Sequence, residues 1–70
     1  RAAQRNGEFV ALEVILADAE RREGGRIIDV ELDDDEYEIE ILRDDGVVVE
    51  LEYDARTGAL LEREIEDEDD

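Results

Sequence analysis

Seventy residues with a net charge of −17 make one domain at most. That charge argues against nucleic acid and anionic membrane surfaces, both of which are bound through Lys and Arg, and favours cations or a basic protein partner. With no Cys and no His, the chain has neither a disulfide nor a structural zinc to support a core that buries only about 60% of the unfolded surface.

Absent cysteine selects no redox compartment. No apolar run approaches the roughly 20 residues that span a bilayer, and "RAAQRNGEF" has no signal-peptide pattern. The catalytic inventory is thin: His, Cys, Ser and Lys are all missing, which removes the usual nucleophile and base pairings and the Schiff-base lysine. A carboxylate-pair hydrolase would need a concave pocket that so small a layer has little room to form. The expectation is a protein that is not an enzyme and carries no cofactor.

Residues 9–23, "FVALEVILADAERRE", predict a helix of strong formers, with Phe9, Leu12, Ile15, Leu16 and Ala19 on one face. Glu8 and Glu13 suit its N-terminal end and Arg21 and Arg22 its C-terminal end, with "GG" at 24–25 as the stop. Val10, Val14 and Ala17 form a second apolar stripe almost opposite the first. The stripe reads either as scattered exposed side chains or as a partner interface, suited to a homodimer.

Past Gly25 the hydrophobic period changes from 3.6 to 2. In "RIIDVELD" the alternation predicts Ile28, Val30 and Leu32 inward, with Asp29, Glu31 and Asp33 outward. "EYEIEILR" sets Tyr37, Ile39 and Ile41 against Glu36, Glu38 and Glu40. "VVVELEYD" sets Val47, Val49, Leu51 and Tyr53 against Val48, Glu50, Glu52 and Asp54. These are half-buried antiparallel strands. A three-residue "DDG" loop with left-handed Gly46 pairs Ile41 with Val49, Ile39 with Leu51 and Tyr37 with Tyr53. A weaker fourth segment, "ALLEREIE", offers Leu61 and Ile65 inward with Arg63 between them. The fold class is therefore α+β: one N-terminal helix packed on an antiparallel meander of three to four strands. The single domain covers residues 1–66, and the acidic run at 67–70 is expected to be a disordered tail.

The same register lines Asp29, Glu40 and Glu50 in one outward row and Glu31, Glu38 and Glu52 in the next. Asp33, Glu36 and Asp54 form a third. Like charges facing across strands are destabilising, and crowded carboxylates hold their protons longer. Three uses suit such a wall: a solvated face that discourages aggregation, a docking surface for a basic protein segment, or divalent cation binding. The six residues of the first two rows are the metal candidates, although no stretch has the spacing of an ordered calcium loop.

The order helix, "GG", strand, acidic turn, strand, "DDG", strand, then "EYDARTGALL" resembles a PepSY domain, from about Gly7 to Glu66. In the last motif Asp54 caps the turn, Thr57 assists and Gly58 takes a positive φ. The resemblance implies a free-standing bacterial protein, secreted or periplasmic, that inhibits or regulates a thermolysin-type peptidase. It carries over no catalytic residues. The alternative it leaves is a cation-responsive structural or sensing domain of the bacterial envelope.

Overall fold

The computed structural model describes residues 9–66. One helix, α1 (Leu12–Glu23), precedes strands β1 (Arg26–Asp33), β2 (Glu36–Leu42), β3 (Val48–Asp54) and β4 (Leu60–Glu66). The strands form one antiparallel sheet in the order β1-β2-β3-β4. The α+β class and the meander are as the change of period predicts, and the fourth strand completes the sheet. The expected acidic tail at 67–70, Glu8 and the region before it lie outside the described residues.

Helix α1 starts three residues later than expected. Ala11 is extended at the N-cap position and offers no capping side chain, so no sequence signal marks the start. Val10 instead donates its N–H to the Ala55 carbonyl at 2.8 Å and packs against the core. It therefore does not share an outward helical stripe with Val14 and Ala17, which remain exposed on α1. At the other end Gly24 adopts φ 73° and closes the helix on the Glu20 carbonyl, as the "GG" stop predicts.

The core is the contact between α1 and the two central strands. Ile15 and Ala19 meet Ile39 and Ile41 of β2 and Val49, Leu51 and Tyr53 of β3, all fully or almost fully buried. Burying each large apolar side chain contributes about 1.5–3 kcal/mol. A helix is about 10 Å across, and strands lie about 4.8 Å apart, so one helix cannot roof four strands. Both edge strands accordingly leave helix-side apolar groups in water: Val30 and Leu32 on β1, and Ile65 on β4.

The two edge strands also depart from the expected alternation, each by one bulged residue. In β1 it is Ile27, not Ile28, that pairs with Ile41, and Ile28 bulges out before Asp29 pairs with Glu40. In β4 it is Leu60, not Leu61, that lies beside Tyr53, with Leu61 the extra residue. Each error arises where two apolar residues stand together, because alternation cannot say which of the pair faces in. The β2–β3 register is the one the "DDG" loop predicts, with Gly46 at φ 89°.

Candidate functional site

The outward sheet face is built by the strand register alone. Asp29, Glu40 and Glu50 are adjacent across β1, β2 and β3, and Glu64 of β4 extends the row. Glu31, Glu38 and Glu52 line up likewise and are extended by Glu62. Asp33, Glu36 and Asp54 complete a third row. All three expected rows are thus brought together, and the first two are each one residue longer than alternation and the "DDG" loop predict. Glu62 and Glu64 already alternate outward with Arg63 and Ile65, but they were missed because no turn motif fixed the register of β4 against β3. The outer end of the face is closed by Arg26, Leu42, Val48 and Glu66 in a mixed row.

Apart from Arg26, the positive charge of the described residues is kept elsewhere. Among the described residues the ion pairs engage Asp18, Glu23, Asp35 and Asp45, and none engages a row carboxylate. Asp18 holds Arg21 and Arg22 along α1 and accepts a 2.7 Å hydrogen bond from the Tyr53 hydroxyl. These donors hold its carboxyl below the ordinary value, Arg22 most of all and then Tyr53. The domain is consequently polarised: apart from Arg26 at the outer end of the sheet face, the arginines of the described residues lie on the helix side and at the loop tips, away from the first two carboxylate rows.

That bareness shows in proton affinity. Glu40, Glu50 and Glu52 are all pushed above the ordinary value, first by partial burial within the rows and then by neighbouring carboxylates. Glu66 is the largest such neighbour for Glu40, Glu38 for Glu50 and Glu62 for Glu52. Mutual repulsion, the expected cause, therefore ranks second to loss of water contact. Two unit charges about 4 Å apart repel by about 1 kcal/mol even in water, so the rows oppose folding at neutral pH.

Among the described residues no three acidic side chains are grouped so as to hold a metal ion, and no concave pocket forms. Extended strands space their carboxylates along a flat surface, which suits an extended positive surface better than a point charge.

The "DARTG" loop is organised as expected. Asp54 Oδ1 accepts hydrogen bonds from the Arg56 and Thr57 N–H groups at 2.8 and 3.3 Å. Thr57 Oγ1 accepts one from Ala59 N–H at 3.1 Å, and Gly58 takes φ 80°. The loop fastens Phe9 and Val10, just before α1, to the sheet. Its Ala55 carbonyl holds Val10, Ala55 N–H donates to the Asp35 carbonyl, and Arg56 lies 6.0 Å from the centre of the Phe9 ring. Phe9 in turn meets Tyr37 edge-on.

Compared with known families, residues 10–64 match the model of the peptidase propeptide and YPEB domain, PepSY. The comparisons with curated proteins and with solved structures gave no match.

Proposed function

The chain belongs to the PepSY family, and from that membership we propose a non-enzymatic protein-binding module that regulates an extracytoplasmic peptidase of the thermolysin type. PepSY domains are associated with peptidase propeptides and inhibitors, and the family is typically extracytoplasmic. No helix among the described residues is long and apolar enough to cross a membrane.

The observation that carries the reading to a surface is the separation of charge. The carboxylates of the first two rows are in no ion pair while Arg21, Arg22, Arg43, Arg56 and Arg63 pair with other acids, so the outward face is left open to a basic partner. Charge of this kind sets encounter rate and orientation more than final affinity. It also explains why a chain would keep repulsive rows: they disfavour like-charged copies of itself and favour a cationic surface.

The test is direct. Thermolysin-type peptidases with basic surfaces are assayed on a fluorogenic peptide with increasing amounts of the domain. A saturable change in hydrolysis that weakens as salt rises supports the reading. Unchanged hydrolysis across the panel, at concentrations well above that of the enzyme, refutes it. The alternative role, a cation-responsive envelope domain, is favoured by the raised proton affinity of Glu40, Glu50 and Glu52, since any counter-ion would relieve that load. Calcium binding by calorimetry, far beyond sodium at equal ionic strength, would select it.

A further inference from the structure

The two edges of the sheet are not equivalent. Exposed strand edges invite pairing, and proteins block them with bulges, inward charges or short length. Strand β4 is blocked: Leu61 bulges near its start, and Arg63, opposite Leu51, is an inward charge. Strand β1 has its bulge at Ile28, but from Asp29 to Asp33 it runs regularly against β2 and carries no inward charge. Over that run Val30 and Leu32 stand on the helix side, 36% and 50% exposed, beyond the reach of α1. Asp29, Glu31 and Asp33 stand on the acidic side, each at the open end of a carboxylate row.

We propose that the β1 edge, Asp29 to Asp33, is a pairing site for an extended partner segment that alternates basic and apolar residues. The partner would add a fifth strand through backbone hydrogen bonds, the recognition mode in which main-chain bonds give affinity and alternate side chains give specificity. Its basic side chains would become the cationic end of the rows headed by Asp29, Glu31 and Asp33. Its apolar side chains would cover Val30 and Leu32. Complementary charge selects this occupant over a second copy of the chain. From Asp29 to Asp33, strand β1 itself alternates apolar residues with Asp or Glu on the outer face. Edge-to-edge pairing of two β1 strands would therefore set carboxylate beside carboxylate. The inference rests on the reading of the domain as a protein-binding module and specifies the kind of segment it takes.

Amide exchange and chemical shifts of the 70-residue chain, titrated with synthetic peptides, test it. One peptide alternates Arg and Val over nine residues; a second has the same composition with the Arg and Val residues grouped. The alternating peptide should slow exchange at the outward-pointing β1 amides by about tenfold or more at saturation, and the grouped peptide should not. Leu32→Glu separates pairing from bulk attraction. It removes an apolar contact while adding negative charge, so the alternating peptide should bind several-fold more weakly, whereas simple charge attraction would strengthen. Equal binding of both peptides, protection on β4 instead of β1, or tighter binding to Leu32→Glu would overturn the proposal. So would concentration-dependent β1 protection without peptide, which would assign the edge to a second copy. No peptidase is present in these titrations, so their outcome is independent of the inhibition assay.

Discussion

Arg63 Nε donates to Glu23 Oε2 at 2.8 Å, and Arg63 Nη2 donates to Oε1 at 3.1 Å, across 40 residues of sequence. The inward Arg of β4 is thereby matched to the last residue of α1, whose side chain is only 4% exposed. Arg43 approaches the same carboxylate at 3.4 Å. This fork ties the C-terminal end of the helix to an edge strand that the helix does not otherwise cover.

Arg63→Met keeps the apolar stem and removes the charge, leaving a nearly buried carboxylate with only its longer bond to Arg43. The expected result is a loss of stability, because the Glu23 carboxylate keeps one long partner in place of three hydrogen bonds. Urea unfolding at pH 7 checks it. A change within experimental error would show that Glu23 is satisfied by Arg43 alone.

Gly25 is fixed by close approach. A Cβ at this position would run into the Leu42 carbonyl oxygen and lie against the Arg43 backbone, where β1 leaves the helix to pair with β2. Gly25→Ala should therefore cost on the order of 2–4 kcal/mol, enough to unfold much of so small a domain. Gly46, with open space around its missing Cβ but φ 89°, should cost less on the same change, about 1 kcal/mol. Thermal melts of the two variants give the comparison. The opposite ranking would mean that the β1–β2 entry relaxes around the clash.

How much of this was legible follows from the kind of signal each feature leaves. The β2–β3 pairing was readable because "DDG" fixes a loop length and strict alternation then fixes every partner down to Tyr37 and Tyr53. The carboxylate rows followed from that register without further information. The doublets Ile27–Ile28 and Leu60–Leu61 were unreadable, since both members satisfy an apolar preference and tertiary cover decides between them. Val10 looked helical because its neighbours have helical propensity, whereas its bond to the Ala55 carbonyl is a contact across 45 positions. In the sequence Arg63 stands awkwardly between Leu61 and Ile65. An inward Arg implies a buried acid, but only the fold could choose Glu23.

Stability should pass through a maximum in mild acid. Glu40, Glu50 and Glu52 have folded values raised above 4.5. The native state therefore binds more protons than the unfolded chain, and stability rises as pH falls from 7 towards about 5. Asp18 and Glu23 have lowered values, chiefly through their Arg partners. Their contribution is present above the unfolded values of 3.8 and 4.5 and is lost as pH falls below them. Added salt at pH 7 should stabilise, because screening relieves the rows more than it weakens the fewer ion pairs. Melting temperatures between pH 3 and 8, at low and moderate sodium chloride, test both signs. A monotonic fall from pH 7 downward would contradict the repulsive rows.

The central claim is that the outward carboxylates serve a partner at the expense of the fold, and one variant separates the two. Glu38→Gln with Glu52→Gln neutralises the middle of the second row without changing shape. It is compared with the wild type in melting temperature and in potency against a peptidase that the wild type inhibits. The account predicts a melting temperature equal or higher, and inhibition at least about tenfold weaker, equivalent to ~1.4 kcal/mol of lost interaction. Unchanged inhibition, or a fall in melting temperature, would contradict it.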